Sequence, residues 1–139
     1  MTATPGDATP PVAVGLPPDR TAASVARART RTVVGAWRLP GLLDPLLLVV
    51  SELVGNAVRH GRPPVAMLLR RTGPGVRVEV HDENASVPPA GGQLPDDGAE
   101  SGRGGFLVDA VSDETGVEQV PGDGKVVWAT VTDDRTASD

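Results

Sequence analysis

The segment that most constrains this chain is Ser51 to Gly61, Ser-Glu-Leu-Val-Gly-Asn-Ala-Val-Arg-His-Gly, which closes the apolar run Leu46 to Val50. The whole stretch reads as one helix. Glu52 and Asn56 are four residues apart, so they share a face about 6 Å apart along the axis. His60 continues that stripe, while Leu47, Val50, Val54, Ala57 and Val58 fall on the other side and provide a core face. A Glu and an Asn on adjacent turns can act as a base and a metal ligand. Glu-x-x-x-Asn is also a common spacing, and two solvated polar residues on an amphipathic helix produce the same pattern. The rest of the chain has to decide between them.

The chain has 139 residues, enough for one domain with one core. Aromatic residues amount to 2%, so the core must be built from Val, Leu and Ala. A net charge of −5 and a pI near 4.9 argue against nucleic acid or an anionic membrane as the main partner. The absence of cysteine excludes a disulfide framework, thiolate chemistry and Cys-ligated zinc. The run Leu46 to Val50 is too short to cross a bilayer, and no basic-then-apolar secretion signal opens the chain. The expected location is the cytoplasm, with no membrane involvement.

Residues 1–11 are rich in Thr, Pro and Ala and are expected to form a tail. Residues 12–132 are expected to form the domain, and 133–139 a second, polar tail. Val12 to Leu16 reads as a short edge strand. A helix is expected from about Asp19 to Trp37, its stripe formed by Ala22, Val25, Ala26, Arg29, Val33 and Ala36. Leu39-Pro40-Gly41 breaks it. Asp44-Pro45 reads as an N-cap followed by Pro at the first position of the second helix, which runs to His60 and stops at Gly61. Val65 to Arg71 and Val76 to His81 read as a hairpin around Thr72-Gly73-Pro74-Gly75. A third helix is expected from Phe106 to about Asp113, with Phe106, Leu107, Ala110 and Val111 as its apolar side. Gly116 to Val120 and Lys125 to Thr132 read as a second antiparallel pair. The implied class is α+β: a two-layer sandwich with helices on one face of a mostly antiparallel sheet.

Three places could carry chemistry. The first is the Glu52/Asn56 stripe. The second is Asp82, just past a strand in Val-His-Asp-Glu-Asn, where a carboxylate can accept a hydrogen bond from a ligand amine; an ordinary turn Asp looks the same. The third is Gly102-Arg103-Gly104-Gly105, whose bare backbone opens a helix and suits an anion such as phosphate. Before it lies Glu83 to Ser101, too long for a plain connection in a small domain and best read as a loop or lid. The glycine cluster is neither a Gly-Lys-Ser/Thr phosphate loop nor a Rossmann fingerprint.

Taken in order, these features resemble the GHKL-type ATP-binding fold shared by histidine kinases, gyrase, Hsp90 and MutL. More narrowly they resemble the single-domain anti-sigma-factor serine/threonine kinases of the RsbW/SpoIIAB type, in the form common among actinobacterial regulators. The resemblance runs from about Leu16 to Thr132. It is carried by Ser51 to Gly61, by Val80 to Asn84, and by Glu100 to Asp113 with the ending Gly124-Lys125-Val126-Val127-Trp128. It implies that Asn56 holds Mg²⁺ between the phosphates of ATP and that Glu52 is the general base for a substrate hydroxyl. It also implies that Asp82 bonds the adenine amino group, that Gly102, Arg103, Gly104 and Gly105 line the phosphates, and that Glu83 to Ser101 is the ATP lid. One departure is Asn84, where the family usually has Gly or Ser; Asn tolerates a left-handed turn.

The expected function is therefore that of an ATP-dependent regulator. It would bind a sigma factor and phosphorylate an anti-anti-sigma partner of the STAS type on Ser or Thr. The alternative is a non-catalytic, ATP-dependent protein-binding module, in which Glu52 is dispensable. The family commonly dimerises, so the resemblance leaves a homodimer open, with the Val12 to Leu16 edge as a contributor.

Overall fold

In the computed structural model the described residues are 9–84, 108–120 and 122–132. Strand β1 (Val12–Leu16) leads to helix α1 (Ala22–Ala36), a 3-10 turn (Pro40–Leu42) and helix α2 (Leu43–His60). Strands β2 (Val65–Thr72), β3 (Gly75–Asp82), β4 (Glu114–Gln119) and β5 (Lys125–Thr132) follow. They form one sheet in the order β1-β2-β3-β5-β4 with every pairing antiparallel. The expected two-layer α+β sandwich is borne out, and β1 and β5 have the bounds read from the sequence.

The sheet follows from alternation. Val65, Met67 and Leu69 of β2, Val76, Val78 and Val80 of β3, and Ala129 and Val131 of β5 are all buried on the helix-facing side. The other side is polar at its centre, where Arg70 and Arg77 both reach Glu79, and the Arg77 guanidinium lies 4.1 Å from the Trp128 ring centroid. Turn chemistry sets the registers. Gly73, at φ +68°, closes the β2–β3 hairpin, and Gly122 and Gly124, at φ +75° and +81°, close the β4–β5 hairpin.

Both helices pack a different arc from the one expected. In α1 the buried residues are Ala22, Ala26, Thr30, Val33 and Val34, while Val25 is exposed. Thr30 is accommodated because its hydroxyl donates to the Ala26 carbonyl at 2.8 Å within the same helix. The helix starts at Ala22, three residues after Asp19, whose carboxylate accepts from the Thr21 amide instead. It ends by a Schellman pattern: Arg38 N–H donates to Gly35 O, Leu39 N–H donates to Val34 O, and Arg38 itself is left-handed at φ +59°.

In α2 the core face is Leu46, Val49, Val50, Leu53, Val54 and Ala57; Leu47 and Val58 are only half-buried. Five consecutive apolar residues carry no phase, so packing against the sheet chose the arc. Each fully buried Leu or Val there contributes about 1.5–3 kcal/mol. Asp44 is not the N-cap. The preceding 3-10 turn runs directly into the helix, Leu42 occupies the cap position without a side-chain bond, and Asp44 lies in the first turn, where its charge suits the dipole. The stretch Pro40–His60 is long and apolar enough to cross a membrane by length and composition, unlike the shorter run considered above. Its apolar side is nonetheless buried against the sheet, the usual arrangement of a core helix.

After the region outside the described residues, a helical turn at 108–111 buries Val108 and half-buries Val111, with Ala110 exposed. The strand that follows begins at Glu114, two residues earlier than expected.

Candidate functional site

Asn56 is not on a solvated stripe. It continues the seam Leu46, Val49, Leu53 at spacings of three and four residues, and is itself 7% exposed. Its side-chain oxygen accepts from the Arg59 guanidinium at 2.6 Å, while its amide nitrogen is buried without a hydrogen-bond partner among the described residues. Gly55 makes room for this contact, since a Cβ there would lie 3.3 Å from the Arg59 guanidinium. Glu52, one turn earlier, is half-buried and forms no ion pair or hydrogen bond among the described residues. His60 is half-buried at the helix end.

The C-terminal ends of α2 and β3 are stapled together. Asn84 donates through its side-chain amide to His60 O at 3.0 Å, and Glu83 N–H donates to Arg62 O at 2.9 Å. Asp82 lies between them, 1% exposed, its Oδ1 accepting from the Asn84 amide at 2.7 Å and the Arg62 amide at 3.3 Å. Gly61 is required by this closeness and not by a left-handed cap. Its φ of −90° suits any residue, but a Cβ would lie 2.5 Å from both the Asp82 carboxyl carbon and Ala57 O. Asn84 is also not left-handed: among the described residues other than glycine, only Arg38 has positive φ. Its departure from glycine is accommodated by its own side-chain bond.

Sequence reading missed the partner of Asp82. Lys125, 7% exposed, places its ammonium 3.2 Å from Oδ1 and 3.1 Å from Oδ2, and 3.3 Å from Asn84 O. Asp82 and Lys125 are register partners across β3 and β5. The signal was available in the alternation: Lys125 is in phase with Ala129 and Val131, so it points inward, where a lysine needs an acid.

Asn56, Asp82 and Lys125 thus converge on one end of the sandwich, where α2, β3 and β5 meet. An amide oxygen whose nitrogen has no partner among the described residues, at the same end of the sandwich as a buried carboxylate, can serve a ligand that carries both a hard cation and a hydrogen-bond donor. Gly102, Arg103, Gly104, Gly105 and the expected lid from residue 85 to 101 lie outside the described residues. A separate group brings His81, Glu83 and Asp123 together within 4.8 Å on the opposite face of the sheet.

A histidine kinase-like ATPase domain model matches residues 16–131. No curated protein matches the chain. Among solved structures, the crystal structure of the RsbU and RsbW domains of Rv1364c from Mycobacterium tuberculosis is similar, with a TM-score of 0.61 and 24% identity. The match covers 89% of this chain and 31% of that one, so the chain spans about a third of that structure's length, and the likeness speaks to the fold. The matched region takes in every described element of the sheet and both helices except most of β1, and with it the Asn56/Asp82 end. The chain belongs to the histidine kinase-like ATPase domain family.

Proposed function

We propose that this chain binds Mg·ATP at the Asn56/Asp82 end and acts as an anti-sigma-factor-like protein kinase. In this reading it binds a sigma factor and phosphorylates a STAS-type anti-anti-sigma partner on Ser or Thr, in the cytoplasm. The observation that carries the reading is Asn56, a buried asparagine in a core seam whose amide nitrogen has no partner among the described residues. A buried orphan polar atom costs about 1–3 kcal/mol, which selection tolerates where a ligand uses the group. The donor set fits: Mg²⁺ takes few protein oxygens and completes its shell with phosphates and water.

Asn56 would offer its side-chain oxygen to the ion, and Arg59 must release that oxygen first. Asp82 faces the base. Gly102, Arg103, Gly104 and Gly105 would line the phosphates in this reading. Bound Mg·ATP supplies the phosphoryl group. Glu52, with no ion-pair partner among the described residues, accepts the proton of the attacking hydroxyl. The likeness to an RsbW domain supports the choice of protein partners.

One observation favours a second reading, an ATP-dependent binding module without transfer: the Arg59 guanidinium already occupies the oxygen that would hold the ion. Calorimetric titration with Mg·ATP tests the first step. Wild type should bind at micromolar level and Asn56→Ala and Asp82→Asn should lose most affinity. Absence of binding by wild type refutes both readings. Transfer of labelled phosphate to STAS-type partners, lost in Glu52→Gln while ATP binding survives, separates the kinase from the module.

A further inference from the structure

The Asp82–Lys125 pair has bonding capacity left over. Asp82 Oδ1 is fully used, accepting from the amides of Asn84 at 2.7 Å and Arg62 at 3.3 Å and from Lys125 at 3.2 Å. Oδ2 lies 3.1 Å from the ammonium as an ion-pair contact and accepts no hydrogen bond among the described residues, which leaves it acceptor capacity. The ammonium has three protons. One goes to Oδ1 and one to Asn84 O, which leaves a third without a hydrogen bond among the described residues. The pair therefore offers one acceptor and one donor side by side. Both side chains are held in place, at 2% and 9% exposure. The turn that delivers Lys125 is pressed onto β3 at Gly124, left-handed at φ +81°, where any Cβ would collide with the Asp82 carbonyl oxygen.

We infer that Lys125 joins Asp82 in reading the base and that the pair selects a 6-aminopurine; this rests on the nucleotide reading of the site given above. In adenine the exocyclic amine is a donor and the adjacent ring nitrogen N1 is an acceptor. The amine meets Asp82 Oδ2 and N1 meets the ammonium. A 6-oxopurine in the same pose inverts both: its carbonyl oxygen faces the carboxylate and its N1–H faces the ammonium. Lys125 is thus a specificity-determining residue and more than a counter-ion.

The test is calorimetric titration of the full chain with ATP, GTP and 1-deaza-ATP, in which N1 is replaced by C–H, using wild type, Lys125→Met and Lys125→Arg. Wild type should bind 1-deaza-ATP roughly tenfold or more weakly than ATP, the loss of one charge-assisted hydrogen bond. Lys125→Met should bind the two about equally and discriminate less against GTP, and Lys125→Arg should restore part of the difference. Equal binding of ATP and 1-deaza-ATP by wild type overturns the inference, and this arm needs no variant to fold. Tighter ATP binding by Lys125→Met also overturns it, since the ammonium would then be a competitor for Asp82. If wild type binds ATP without discriminating, only this inference fails; if it binds no nucleotide, the underlying reading fails with it.

Discussion

Removing either partner of the Asp82–Lys125 pair should expose how strongly the two are coupled. Both side chains are buried, and the ammonium is 3.1 and 3.2 Å from the two carboxylate oxygens. Breaking a buried pair by removing one member costs about 3–5 kcal/mol, because an uncompensated charge is left behind. The two single variants should not cost the same. In Lys125→Met the carboxylate keeps the amides of Arg62 and Asn84, which places the loss near the lower end. In Asp82→Asn the ammonium keeps the Asn84 carbonyl and loses its counter-charge, which places the loss near the upper end. The double variant removes both charges and should be no worse than the poorer single. The coupling energy is then on the order of 3 kcal/mol. Urea denaturation monitored by circular dichroism measures it. With a slope of about 2 kcal/mol per molar, each single variant should lower the midpoint by about 1.5–2.5 M, and the double by no more. Additive losses within about 0.5 kcal/mol would refute the argument, because they would mean that the two charges do not sense each other.

Three further outcomes follow from single positions. Gly61→Ala should destabilise by about 1–3 kcal/mol through overpacking against Asp82 and Ala57 O, despite an ordinary φ, and should weaken nucleotide binding with it; an unchanged urea midpoint would contradict the close approach. Asn56→Leu should stabilise the nucleotide-free chain by about 1 kcal/mol, since it removes the orphaned amide nitrogen, while abolishing Mg·ATP binding; a thermal melt with and without nucleotide reads both effects, and a destabilised free form would contradict the assignment. Arg38→Gly should raise stability by about 1 kcal/mol, because glycine takes the left-handed conformation at the end of α1 without a Cβ clash; a lower melting temperature would show that the Arg38 side chain contributes more than its strain costs.

The legibility of this fold in its sequence tracks where local chemistry carries phase. Strands β1 and β5 were bounded correctly because Pro10-Pro11 and Pro17-Pro18 bracket β1 and the turn with Gly122 and Gly124 cuts the start of β5. The helices were placed correctly but rotated. In α1 the contrast between Ala and its neighbours is weak, so Thr30 could replace Val25 in the core once its hydroxyl had a carbonyl to bond. In α2 the run Leu46 to Val50 is apolar all round, and only the sheet decides which side is covered. That rotation matters for the site, because it moves Asn56 from a wet stripe into the core seam. Asp82 was found from its place past a strand; the alternation of β5 shows that Lys125 points inward, but its pairing with Asp82 is set by the register of strands 43 residues apart in sequence. The buried polar residues among those described are Thr30, Asn56, Asp82 and Lys125. Thr30 is satisfied within its own helix and needs no further account. The other three converge where α2, β3 and β5 meet, and each breaks the rule that its position should be apolar. Packing alone would replace them with Leu or Val at no loss, so their concentration at one end argues that a ligand, and not the core, selected them.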